Sequence, residues 1–294
     1  MLGVLVNLVK RGEHINIIFK HMSKSVTVIS SGSSSQKVKL LELWSYRELA
    51  WSMTLRDIKV RYKQTVLGVA WAILQPIVTM VIFIIIFGGL AKIPSDGFPY
   101  PVFVYSGLLA WNLFATSINS AGNSMVGAAN MIGKVYFPRL IVPLASMGVA
   151  VIDFFVSFCI LLVLLVIYGV IPSIQILLFP VFLVGLLFAA VGMGTWLAAV
   201  TVSYRDFRFV IPFMIQIWMY VTPVIYPASF IPESYRWLVY LNPIFGWVSG
   251  VKAAILGTPI EWVAVGFSFG WTVVLLWVGI TYFNRAERRF ADII

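Results

Sequence analysis

The chain has 294 residues, of which 61% are hydrophobic and 11% charged, with a net charge of +10 and a mean hydropathy of +0.96. A water-soluble domain carries about 25% charged residues, so most of this surface must face something other than water. The excess of Lys and Arg forms no exposed basic domain, which argues against nucleic acid as a partner.

Residues 1–39 read as a peripheral extension. The opening "MLGVLVNLV" is too short to span a bilayer and lacks the basic run that precedes a signal-peptide core. The following "SSGSSSQK" reads as a flexible linker. The two histidines, His14 and His21, have no Cys or carboxylate cluster beside them, so no metal site is expected. The single cysteine, Cys159, falls inside a membrane run, and one thiol makes no intrachain disulfide.

Residues 40–63 predict an amphipathic helix. Leu40, Trp44, Trp51, Leu55, Ile58 and Tyr62 fall within a stripe about 60° wide at helical periodicity. Arg56, Lys59 and Lys63 share a flank away from it. Trp and Tyr on one face with Lys and Arg on another is the pattern of a helix lying flat in the membrane interface.

Beyond it the charges vanish. Six runs are long and apolar enough to cross a hydrocarbon core, which takes roughly 20 residues. They lie at about 66–91, 101–122, 140–168, 174–202, 209–226 and 261–283. Asp153 interrupts the third. Of the 21 basic residues, 18 lie in the N-terminal region, the 123–139 and 203–208 loops and the 284–294 tail. Only Lys92, Arg236 and Lys252 fall on the other side. Basic loops stay in the cytoplasm, so both termini are expected there; the positive charge also favours anionic lipid.

The loop "NSMVGAANMIGKVYFPR", residues 123–139, comes close to a phosphate-binding loop. Its glycines, however, stand five residues apart instead of four, and Val135 follows Lys134 where a magnesium-holding hydroxyl is needed. Nucleotide binding is therefore not expected in this chain. A short helix remains, with Met125, Val126, Ala129 and Ile132 on adjoining turns, stopped by Pro138. Such a helix exposed to water calls for a partner. Further on, Pro227, Pro232 and Pro243, with Glu233 and Arg236, prevent residues 227–257 from forming a regular span.

Four stretches carry a family resemblance: "RDIKVRYKQTVLGVAWAILQP" (56–76), "NMIGKVYFPRLIVPL" (130–144), "YRDFRFVIPFMIQIWMYVTPVIYP" (204–227) and "LNPIFGW" (241–247). Together, and in this order, they resemble the permease subunit of ABC-2-type polysaccharide exporters, the branch that moves O-antigen, capsule and teichoic acid chains. The likeness covers about residues 40–290. It implies an all-α membrane protein of ABC-2 (type V exporter-like) fold in the bacterial inner membrane. Two copies would enclose a path for a lipid-linked glycan, and two separate ATPase subunits would bind the ATP and magnesium.

The resemblance also assigns parts. Residues 40–63 become the interface helix, with Trp44, Trp51, Arg56, Lys59, Arg61 and Tyr62. Residues 124–137 become a coupling helix that docks in an ATPase cleft through Met125, Asn130, Met131, Ile132 and Lys134. A second contact would involve Arg205, Asp206 and Arg208, and residues 227–257 would be short re-entrant helices gating the outer side.

For the path, aromatic faces suit the C–H patches of sugars and their N–H and O–H groups give polar handles. Trp71, Trp111, Phe114, Trp218, Tyr220 and Tyr226 are the candidates. Asp153 either lines the path, ties its helix to a neighbour's hydroxyl or amide, or is a packing residue, because a bare charge mid-span is costly. Rival readings fit less well. A membrane transferase or hydrolase needs paired carboxylates or a nucleophile with its base, and an ion-coupled transporter usually shows two repeats. Neither pattern is present. A non-transporting scaffold is opposed only by the resemblance.

Overall fold

The computed structural model describes residues 40–63 and 68–293, so the peripheral extension assigned to 1–39 lies outside the described residues. The described chain is helical, with no strand among the described residues. Two short helices come first, α1 (Leu40–Ser45) and α2 (Arg47–Lys63). The predicted single interface helix is thus broken at Tyr46, which forms a turn. α3 (Gly68–Phe83) contains Pro76 and passes into a wider π-helical stretch, Ile84–Leu90.

α4 (Tyr100–Gly127) forms the centre of the bundle, with Pro101 in its first turn where a missing N–H costs nothing. A four-residue turn, α5 (Ala129–Ile132), follows. The third span is made of α6 (Ile141–Ser146) and α7 (Gly148–Ile167). A 3-10 turn leads into α8 (Phe179–Ser203), then α9 (Phe207–Val221). Two short elements, α10 (Arg236–Tyr240) and α11 (Phe245–Leu256), bend by 108° relative to each other before the long α12 (Trp262–Ile293).

Five helical stretches are long and apolar enough to cross a membrane: Ala70–Leu90, Tyr100–Gly127, Ile141–Ile167, Ile174–Ser203 and Trp262–Glu287. These match five of the six expected runs. Counting the bent pair Glu233–Tyr240 and Phe245–Leu256 as one span would give six; over the run expected at 209–226 the helix is shorter, ending at Val221 after 15 residues. At 1.5 Å per residue that is about 22 Å, short of a core about 30 Å thick. Pro223 and Pro227 account for the early stop: neither has an N–H to continue the ladder. Residues 228–256 then form the broken, short-helix segment that their prolines predicted.

α4 is surrounded. It packs on α7, α8, α9 and α11, and Tyr105, Leu108, Phe114 and Ile118 along it are fully buried. A second core at one end gathers Met53 of α2, Met125, Ile132, Phe137, Leu140, Val202 and Phe283. That end is here the interface-helix end; the loops at 91–99 and 222–231 mark the far end. Between α8 and α12 the backbones meet almost directly: a Cβ on Gly279 would lie 2.1 Å from the carbonyl oxygen of Gly192. Only glycine permits that approach, and in a bilayer close backbone packing replaces the hydrophobic drive between helices.

Candidate functional site

At the interface-helix end, α2 is fastened to the third span. Met53 and Thr54 point inward, and the Thr54 hydroxyl donates to the carbonyl oxygen of Ala145, 2.9 Å away. Gly148 makes room for this contact: a Cβ there would lie 2.3 Å from the Thr54 methyl. Two turns further on, Arg61 pairs with Asp153 at 2.8 Å, and the Tyr62 hydroxyl donates to the other carboxylate oxygen. Burial, and then this hydrogen bond, pushes the Tyr62 phenol up to about 12.

Asp153 is thereby placed. Its carboxylate is held by the interface helix and is largely screened from its surroundings, with 18% of the side chain exposed. It ties its helix to a neighbour's hydroxyl, as one of the three readings had it, and in addition to a guanidinium.

The opposite face of α1 and α2 is open. Trp44 and Trp51 are 70% and 61% exposed, and the Arg47 guanidinium sits over the Trp44 ring. Leu55, Ile58 and Tyr62, expected on the same stripe, are half-buried because the helix also leans on the bundle. Arg56 and Lys59 are exposed, and Arg56 bonds its neighbour Asp57 at 2.8 Å.

The expected helix at 124–137 is not one helix. Its first residues continue α4 to Gly127, one separate turn spans Ala129–Ile132, and residues 133–140 are non-helical. Glycines at 127 and 133 bracket the turn, and Pro138 stops anything beyond. The expected apolar ridge is turned partly inward, with Val126 and Ala129 half-buried. Met125 is completely buried and Ile132 belongs to the second core. What this loop offers outward is Asn130, Lys134, Val135 and Tyr136, with Met131 half-covered. Tyr204, Arg205, Asp206, Arg208 and Phe209 form a second exposed group at the same end.

The aromatic candidates separate into two sets. Trp111, Phe114 and Trp218 pack on one another with ring centroids 5.3 to 6.5 Å apart, joining α4 to α9. Trp111 and Phe114 are buried core rings, and Trp218 is half-buried against them. Tyr226 folds back, donating its hydroxyl to the carbonyl oxygen of Tyr220, 3.1 Å away. Trp71 and Tyr220 alone among the six are well exposed.

Sequence reasoning missed the polar joint at the far end. The Trp218 indole donates to the Asn242 amide oxygen at 3.1 Å, and the Asn242 amide nitrogen donates to the Thr222 hydroxyl at 2.8 Å. Asn242 also receives the backbone N–H of Ile244. One side chain therefore closes the end of α9 and opens α11. Its signal was the Asn before Pro243 in an otherwise apolar run.

The family model described as "ABC-2 type transporter" matches residues 48–256, from α2 through α11. The chain is similar to the O-antigen export system permease protein RfbA of Myxococcus xanthus, 30% identical over 261 residues, 86% of this chain and 98% of that one. A protein of the same name from Klebsiella pneumoniae is 26% identical over 82% of this chain and 93% of its own length. The polysialic acid transport protein KpsM of Escherichia coli is 24% identical over 80% and 92%.

Proposed function

Given that the chain belongs to the ABC-2 type transporter family, we propose that it is the membrane-spanning permease subunit of an ATP-driven exporter. Its cargo is a lipid-linked polysaccharide of the O-antigen kind, carried from the cytoplasmic to the outer side of the inner membrane. One observation carries this reading: permeases named for O-antigen export match it over nearly the whole of their own length. The similarity to KpsM favours a capsule polymer as the second reading.

In this account the interface-helix end, where most Lys and Arg lie, is cytoplasmic. Two copies assemble with two ATPase subunits, which hold the ATP and magnesium and do the hydrolysis. The docking surface is Asn130, Met131, Lys134, Val135 and Tyr136, with Arg205, Asp206 and Arg208 as a second contact. The support is their exposure at one end, beside buried residues that anchor them. A fixed aromatic edge flanked by charges is a good docking element: the ring supplies affinity and the charges supply register.

Removal of the protein tests the reading. Surface glycan should disappear while its lipid-linked precursor accumulates inside, and an ATPase subunit should copurify with the tagged chain. Undiminished surface glycan in the deletion would overturn the assignment.

A further inference from the structure

Among the described residues, Lys252 of α11 is the one charged side chain that is buried, at 7% exposure. Its ammonium group donates to the carbonyl oxygens of Pro223 and Val224, both at 3.3 Å, and of Tyr226 at 3.5 Å. It also lies 3.8 Å from the centre of the Phe103 ring on α4. An ammonium has three N–H donors, and here each has a carbonyl while a ring face covers the group. The three carbonyls come from one short non-helical turn, residues 222–227, whose backbone has no helical ladder to satisfy it. Such a turn inside a membrane protein survives only where protein groups meet its polar atoms.

Beside the ammonium opens a cavity of about 410 Å³, lined among others by Lys252, Ser249, Asp96 and Glu261. Asp96 accepts a hydrogen bond from the Ser229 hydroxyl at 2.9 Å, joining the 91–99 loop to the segment just after the turn. The lysine thus has one set of acceptors in its present position and two carboxylates facing the same open space.

We propose that Lys252 is a positioning residue for export: a latch that holds the 222–227 turn closed against α4 and α11, and that passes to Asp96 and Glu261 when the turn moves. Both positions satisfy the charge and the passage between them does not. A buried ammonium without partners is costly, so the arrangement has two stable settings. The turn is the joint between α9 and the re-entrant α10–α11 pair, so its displacement opens the far end. Deletion of the charge leaves three carbonyls unmet and the turn loose.

The latch rests on the export reading for its drive, and its resting position can be tested without glycan or ATP. The assay is labelling of a Ser249→Cys thiol by a membrane-impermeant maleimide from the outer side, in a Cys159→Ser background and in the whole complex. Lys252→Gln should raise the resting labelling rate about tenfold, whereas Lys252→Arg should leave it near the parent value. The paired change Asp96→Asn with Glu261→Gln should leave resting labelling unaltered and cut the ATP-driven rise several-fold. Equal resting labelling in Lys252→Gln and parent overturns the latch. If Lys252→Gln does not accumulate, the carboxylate pair decides: an undiminished ATP-driven rise overturns the proposal. A surface-glycan defect absent from deletion strains would sink the export reading and leave the resting result standing.

Discussion

At Asp153 two different interactions meet on one carboxylate, and they separate by substitution. Asp153→Asn keeps an oxygen for the Tyr62 hydroxyl but loses the attraction to Arg61; Asp153→Leu loses both. The Leu variant should cost about 1–3 kcal/mol, since two polar partners lose their acceptor, and the Asn variant distinctly less. Thermal unfolding of the purified complex measures the order, and equal losses would mean that the hydroxyl bond contributes nothing. Tyr62 adds a pH signature. Burial, and then the bond to Asp153, pushes its phenol up from the ordinary value near 10 to about 12. A folded pKa raised in this way stabilises the fold fully below pH 10 and loses that contribution as pH climbs from about 10 to about 12. Tyr62→Phe should therefore flatten the alkaline stability curve in that window, and its phenolate absorbance should lack one late-titrating group. An unchanged curve would place Tyr62 in water.

Helices and loops respond in a different way, because the same residue type serves as core in one and as contact in the other. Truncating Met125 or Ile132 to Ala should cost about 2–5 kcal/mol as buried side chains and lower the amount of protein in the membrane. Lys134→Glu with Tyr136→Ala should leave the amount unchanged and reduce ATPase copurification several-fold. If the first pair instead blocks docking at normal protein levels, the loop is arranged differently from this description. The aromatic set divides likewise. Phe114→Ala should destabilise by about 3–5 kcal/mol, whereas Trp71→Ala and Tyr220→Ala should reduce surface glycan per unit of protein. Equal export per unit of protein in those two would remove aromatic side chains from the path. These pairs also show what could be read from sequence. Charge-free length exposed the spans because hydrocarbon excludes charge along a whole segment. The proline-rich far segment was equally legible, since a missing N–H acts locally. Which way Met125 or Trp111 points was not legible: both faces of a membrane helix are apolar, so periodicity carries no inside or outside. Arg61 and Asp153, 92 residues apart, needed the tertiary fold to become a pair.

For the molecule as a whole, sidedness is the expectation most open to test. A thiol at the exposed Ser45 should resist an impermeant reagent added to intact cells, while one at Ser229 should react; the reverse pattern would invert the proposed transport direction. The six expected runs stand beside five helices long and apolar enough to cross, six if the bent pair before the last span counts as one, and the helix at 207–221 is shorter than its run. The difference came from two prolines too close to the run's end for a hydropathy window to register. The glycine contact between α8 and α12 has a consequence for handling the protein outside its bilayer. Attraction across that seam comes from backbone atoms touching backbone atoms, so it asks little of the surrounding lipid. Among the described residues α3 and α9 show no such seam, and Ile211 is the one buried residue of α9. Detergent should therefore strip the protein unevenly. Amide deuterium uptake after extraction should rise first in α9 and α3, with the α8–α12 pair the last to exchange, and a lipid nanodisc should slow the first two far more than the pair.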